Sequence, residues 1–346
     1  MEGDVQMEHS RLDLLALMPC PLKIPLEKEI LKSIRKLNDR YETSLTYQIV
    51  SNAVEQAEVF QGVMDSRNID ELPEIMIAPG FSRFFYQDFV RKYRITGCFK
   101  SVNEEGVADE FRRLGVNDPD GYYDILGFNP LVFLVDKTRY PDMPTPYQWS
   151  DLTKNEYVKK VAYRGHNDRE FCEGILLNVY KELGREGIRR LGTSVKSRLH
   201  PAQMAKLAGS KSEEAPAVSV IPYSFACMAR PSKNVEIVWP EDGAIVNPLV
   251  MLVKKNCRPV IMNLATELSD TKISSVFFKG GFYSLYHEED NRMDKREAFK
   301  WLGWDFIKSH NLHELLEELN EIMMEGTHSP GDSDTGHMGE GVCTCS

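Results

Sequence analysis

Two nearly identical runs, NPLVFLVDK at 129–137 and NPLVMLVKK at 247–255, set the strongest limit on how this chain can fold. Each opens with Asn-Pro and each is preceded by a glycine, Gly127 or Gly243. Apolar runs of this kind, without polar alternation, belong to strands buried on both faces. Strand and helix patterns alternate between the two runs. KKVAYRG at 159–165 reads as a strand, 168–184 as a helix and AVSVIPY at 217–223 as a strand. The simplest topology has two lobes joined by two crossing strands, with the second lobe inserted into the first.

The stretch before the first run carries a β-α-β unit. Residues 12–18 and 45–50 read as short apolar strands, and PLEKEILKSIRKLND (25–39) between them reads as an amphipathic helix. There Ile30, Ile34 and Leu37 keep helical spacing, and Pro25 stands in the tolerant first turn. A third strand over 74–79 ends at Gly80-Phe81-Ser82. After 255 the chain reads as helices, closing in the amphipathic FKWLGWDFIKSHNLHELLEELNEIMM. The expected organisation is α/β, with lobe one over 12–130 plus 250–325 and lobe two over 131–249. Residues 326–346 form a tail rich in Gly, Ser, Asp and His, without apolar periodicity.

Composition narrows the function classes. With 42 Lys and Arg against 52 Asp and Glu, the net charge is −10. A nucleic-acid partner, which a basic surplus would announce, is therefore not expected. The seven cysteines are odd in number and scattered, as in reduced thiols rather than a disulfide framework. No apolar run reaches the ~18–20 residues that span a bilayer, so no membrane insertion is expected. The motif LLALMPC imitates a lipoprotein signal ending at Cys20. It is preceded by Glu2, Asp4 and Glu8, and its apolar core is short, so a cytoplasmic chain is expected.

Several segments together resemble a known family. They are PCPLKIP after the first strand, DPDGYYDILGFNPLVFLVDK, MPTPYQWSDLTKNEYVKKVAY, VSVIPYSFA, VWPEDGAIVNPLVMLVKK and the closing KWLGWDFI. This order resembles the type 2 solute-binding proteins of ABC importers, in the branch with iron(III)- and aminoethylphosphonate-binding members. The resemblance implies a bilobed periplasmic-binding-protein-like fold of two three-layer α/β lobes, a hinge, and a small solute held between the lobes. It also implies an ABC permease as partner, and a periplasmic or extracellular location if that role is kept. The iron-binding branch often has adjacent tyrosines at the position of Tyr223, where this chain has Tyr223-Ser224.

Ligands of open α/β sheets collect beyond the carboxyl ends of the strands. Five segments are expected to converge there. Cys20 and Lys23 follow strand one; Ser82 and Arg83 follow Gly80 at a helix start, where backbone N–H groups attract anions. His166 and Asn167 open a helix in lobe two, Tyr223 and Ser224 end AVSVIPY, and Asp242 precedes the second crossing. Each has a plainer reading. Ser82 and Asn167 also suit helix caps, Arg83 a surface pair, and Tyr223 a packed phenol. Cys20, between two prolines, suits either a soft-metal ligand or a small buried side chain.

The tail holds His328, His337, Cys343 and Cys345, a set able to chelate zinc, nickel or copper(I) and equally able to be incidental. GxSxG, GxxxxGK[ST], HExxH and GxGxxG are all absent from the sequence. The expected function is therefore non-catalytic: monomeric capture of a small anion, metal ion or metal complex by hinge closure. The alternative is a cytosolic enzyme with Cys20 as nucleophile and His166 as base, or a carrier or sensor handing its ligand to an accepting enzyme.

Overall fold

The two Asn-Pro runs lie side by side and antiparallel in the middle of one long sheet. The computed structural model describes residues 12–50, 53–81, 83–166, 170–286 and 298–328. Its first strands are β1 (Leu14–Leu17), β2 (Tyr47–Val50), β3 (Ile75–Pro79), β4 (Tyr123–Asp136) and β5 (Val161–Tyr163). A small hairpin, β6 (Gly165–His166) with β7 (Glu170–Phe171), is followed by β8 (Val195–Arg198), β9 (Val218–Pro222) and β10 (Val235–Val238). The second crossing strand is β11 (Ala244–Val253), and β12 (Tyr283–Ser284) and β13 (Phe299–Lys300) complete the set. The main sheet runs β2-β1-β3-β11-β4-β9-β5-β8.

The helices flank this sheet. They are α1 (Lys23–Tyr41), α2 (Ala53–Asp65), α3 (Gln87–Phe89), α4 (Asp109–Leu114), α5 (Glu173–Ser194) and α6 (Pro201–Leu207). The remainder are α7 (Tyr223–Ala226), α8 (Pro259–Leu268), α9 (Thr271–Lys279), α10 (Trp304–Ser309) and α11 (Leu312–Thr327). In α1 the stripe Leu26, Ile30, Ile34 and Leu37 is buried, as its spacing predicts. The helix stops where Glu42 turns left-handed at φ 49° and its N–H reaches back to the Asn38 carbonyl.

Every residue of β4 is buried, which explains why its sequence does not alternate. This strand changes partners half-way along. Tyr123–Leu131 pairs with β11, while Phe133–Asp136 pairs with β10. On its other edge Gly127 and Phe128 pair with β12, and Leu131–Val135 pairs with β9. Strand β11 does the same: its end Leu249–Val253 lies between β4 and β3, and its start pairs with β13. A sheet that is continuous by hydrogen bonding thus divides into two sets of neighbours, β1 to β3 on one side of the crossing and β9, β5 and β8 on the other.

Two differences from the sequence reading have clear causes. The helix expected over 168–184 begins only at Glu173; it does break at Gly184, whose φ 64° and ψ −166° leave the helical path, and a second helical stretch follows at once and runs to Ser194. The C-terminal helix α11 packs along α5, away from β1 to β3. There Gly192 meets Gly326 so closely that a β-carbon on Gly192 would stand 2.3 Å from the Met323 carbonyl oxygen and 2.9 Å from Gly326 Cα.

Candidate functional site

The base of the candidate site is the rung where the two echoes meet. Asn129 stands directly opposite Asn247, flanked by the rungs Pro130–Val246 and Phe128–Pro248. Prolines are rare in central strands because they bring no N–H to the ladder. Here two of them flank one polar pair. Asn129 Nδ2 donates to Ser224 Oγ at 2.7 Å, and Ser224 N points back at Asn129 Oδ1 at 3.4 Å. On the opposite side, a β-carbon on Gly80 would stand 2.9 Å from a Glu173 carboxylate oxygen and 3.5 Å from Asn247 Oδ1. Gly80 itself turns left-handed at φ 78°, and its N–H donates to the Pro248 carbonyl at 2.7 Å. The carboxyl ends of β3 and β9 and the start of α5 therefore meet at this polar strip, where an open α/β sheet takes its ligand.

The Gly280-Gly281 turn joins the remaining pieces. Gly280 ends α9, and a β-carbon there would meet Leu22 Cδ2 at 2.6 Å; one on Gly281 (φ 72°) would meet Ser224 Cα at 2.7 Å. Leu22 closes the turn Cys20–Leu22 that follows β1. The glycine pair thus borders both the Cys20 turn and the Tyr223-Ser224 turn; Gly281, against backbone and at positive φ, has no room for a side chain, while a β-carbon on Gly280 would crowd only the tip of Leu22.

Within this frame Cys20 is exposed on its one-turn helix between Pro19 and Pro21, and Lys23 is half-buried at the first position of α1. Tyr223 opens α7, half-buried, with its ring edge-on to Trp239 at 5.6 Å. Ser224 is buried and bonded to Asn129.

Other expected residues take different roles. Arg83 turns back to α2, where its guanidinium donates to Gln61 Oε1 at 3.1 Å and lies 5.9 Å from the Phe60 ring centre. No long helix begins after Gly80; a short 3-10 turn over Arg83–Phe85 stands there instead. His166 lies in the β6–β7 hairpin rather than at a helix start, since α5 begins only at Glu173 after Cys172. Asp242 holds structure together: it accepts from Trp149 N at 3.3 Å and pairs with Lys300 Nζ at 2.8 Å. Lys300 also pairs with Glu182 at 2.7 Å, and Trp149 Nε1 donates to the Gly243 carbonyl at 2.8 Å. The W-x-D-L and P-E-D-G pieces of the sequence are thus locked to one another.

Ser82, Asn167, His337, Cys343 and Cys345 lie outside the described residues, and His328 is exposed in the turn after α11. Among the described residues, no three His, Cys, Asp or Glu side chains gather closely enough to hold a metal ion. The residues that sequence reasoning missed are Glu173, Asn129 and Asn247. The paired Asn-Pro openings were the available signal for the last two. Cys172, which caps α5, is buried, and burial pushes its thiol up, so it remains protonated near neutral pH.

The segment 70–310 matches the family model of bacterial extracellular solute-binding proteins. The chain belongs to this family. Solved structures agree with that assignment at the level of the fold. The apo ferric ion-binding protein A of Pasteurella haemolytica is 16% identical, covering 91% of this chain and 98% of its own, with a TM-score of 0.62. An ABC transporter protein from Clostridium perfringens is 14% identical over 90% of this chain and 100% of that one, with a TM-score of 0.61. The spermidine/putrescine ABC transporter substrate-binding protein of Streptococcus pneumoniae is 14% identical over 90% and 99%, with a TM-score of 0.53. No curated protein sequence matches the chain. The fold of this family member is therefore the bilobed periplasmic-binding-protein fold, and the polar strip at the crossing lies where the two sets of strands meet. Among the described residues no helix is long and apolar enough to cross a membrane.

Proposed function

We propose that this chain is the solute receptor of an ABC-type importer and that it captures a metal ion or a metal complex between its lobes. In this reading lobe one comprises 12–130 and 250–325, with its last helix α11 reaching across to pack on α5 of lobe two, which comprises 131–249, and the crossing strands carry the hinge. The observation that carries it is the Gly280-Gly281 turn, which borders both the Cys20 turn and the Tyr223-Ser224 turn. Closure brings the thiol of Cys20, the phenol of Tyr223 and the carboxylate of Glu173 onto one solute. Ligand that prefers the closed arrangement shifts the population toward it.

A carboxylate beside the strip, with Arg83 turned away, favours a cationic or metal-bearing solute over a bare anion. The ferric ion-binding protein of similar fold agrees with that choice. Elemental analysis and native mass spectrometry of protein purified without chelators provide the test. One metal ion or complex per chain, lost in Tyr223→Phe and weakened in Cys20→Ala, supports the reading. A metal-free chain that takes up no iron from ferric citrate ends it.

The importer role places the protein outside the cytoplasmic membrane, against the cytoplasmic expectation from its acidic first residues. Fractionation of expressing cells decides between them.

A further inference from the structure

A second concave site lies far from the crossing, at the end of the sheet where β8 is the outermost strand of the main path. The groove holds about 390 Å³ between β8 and the end of α11, lined among others by Lys159, Lys196, Ser197, Arg198, Thr327 and His328. No carboxylate stands among its described lining residues, although the whole chain carries a net charge of −10.

The backbone is irregular at both lysines. On β8 the register slips, with Val195 opposite Val161 but Ser197 opposite Ala162, so Lys196 is the extra residue of a bulge. A bulge re-aims side chains that regular pleating would send to opposite faces, and here Lys196 and Ser197 both line the groove. Lys159 is held left-handed at φ 54°, a conformation that favours glycine. Its ammonium donates to the Thr327 carbonyl at 2.6 Å and so neutralises the negative end of α11 that faces the groove. Lys196 donates to the Glu213 and Ala215 carbonyls at 2.6 and 3.1 Å, contacts that fix its ammonium and leave its charge uncompensated by them. Arg198 is steadied by Met324 Sδ at 3.2 Å and by the Phe171 ring. The hydroxyl of Ser197 is buried without any hydrogen-bond partner, an arrangement that native proteins avoid unless a ligand or water completes it.

We propose that this groove is a second binding site, for a small phosphate-bearing anion, independent of the cleft. Lys159, Lys196 and Arg198 give the groove wall positive charge with no carboxylate among its described lining residues, and the Ser197 hydroxyl beside them has no partner; a phosphate, with its several acceptor oxygens, uses such a set better than a single carboxylate does. The site faces solvent on the flank of the lobe, so it fits a regulatory or anchoring ligand rather than the transported solute.

The test uses pyrophosphate as probe and site-resolved lysine acetylation of the full chain, read by mass spectrometry. Pyrophosphate is expected to slow acetylation of Lys196 by about tenfold while Lys206, exposed on α6, labels at its original rate. Ser197→Ala is expected to weaken the protecting affinity by roughly five- to tenfold. Arg198→Gln removes the protection of Lys196, and Arg198→Lys restores part of it. Should Arg198→Gln not fold, the Ser197→Ala titration still decides. Protection confined to Lys23, beside the cleft, overturns the proposal and leaves the cleft reading standing. Equal protection by malonate at matched ionic strength overturns the phosphate assignment, and absence of protection overturns the site.

Discussion

Asp124 gives a quantitative test of how the crossing region is built. It lies on β4 at 3% exposure and accepts from Ser101 Oγ at 2.5 Å and Val102 N at 3.1 Å. Burial outweighs these bonds and pushes its carboxyl up from 3.8 to about 6. The folded chain therefore holds this proton over a window, roughly pH 4 to 6, in which the unfolded chain has already released it. Stability from this residue is greatest below pH 4 and falls as pH rises through that window. Above pH 6 the loss is complete. At about 1.4 kcal/mol per pH unit, a shift of roughly two units amounts to about 3 kcal/mol. Asp124→Asn keeps an acceptor for Ser101 and Val102 but cannot ionise. Urea unfolding of both proteins between pH 4 and 7.5 should show the stability of the variant relative to the parent rising by about 3 kcal/mol from the acid to the neutral end. Parallel curves, agreeing within about 0.5 kcal/mol at every pH, would mean that the buried carboxylate carries no such penalty.

Three further outcomes follow from close contacts. Gly281→Ala places a β-carbon against Ser224 Cα in a left-handed turn, and should lower stability by about 1–3 kcal/mol and weaken solute binding in calorimetry. Gly192→Ala drives α5 away from α11; a loss of about 1–3 kcal/mol with faster amide exchange across α11 is expected, whereas an unchanged exchange pattern would contradict the close crossing. Asp242→Asn weakens the bridge to Lys300 and Trp149, so thermal unfolding should come earlier while solute affinity stays unchanged; lost affinity with normal stability would return Asp242 to the binding site.

Much of the framework was legible because long-range burial leaves a local trace. The crossing strands betray themselves by lacking alternation, and α1 by the spacing of Leu26, Ile30, Ile34 and Leu37. Short strands leave a trace only where they are apolar throughout, as β1 and β5 are. The strands β8, β10, β12 and β13 are short and mix polar with apolar residues, so they exist through the partners they pair with and do not announce themselves. The site was harder to read, for two reasons. A hairpin intervenes between Gly165 and α5, so the helix start falls at Glu173 instead of Asn167. Asp242 looked available because its partners, Trp149 and Lys300, are distant in sequence. Asn129 and Asn247 were visible as an echo, but their mutual placement depends on strand register, which the sequence does not express.

In the proposed hinge, the Asn129–Asn247 rung, with Pro130 and Pro248 on either side of it, sets how readily the molecule can flex. Neither ring nitrogen can ever give a hydrogen to the ladder, so the midpoint of the joint is sparsely tied in every state of the molecule. A bend centred there has fewer bonds to distort than one at a regular rung without proline. The free energy of solute capture is then available to hold the solute, with little of it diverted into deforming the frame.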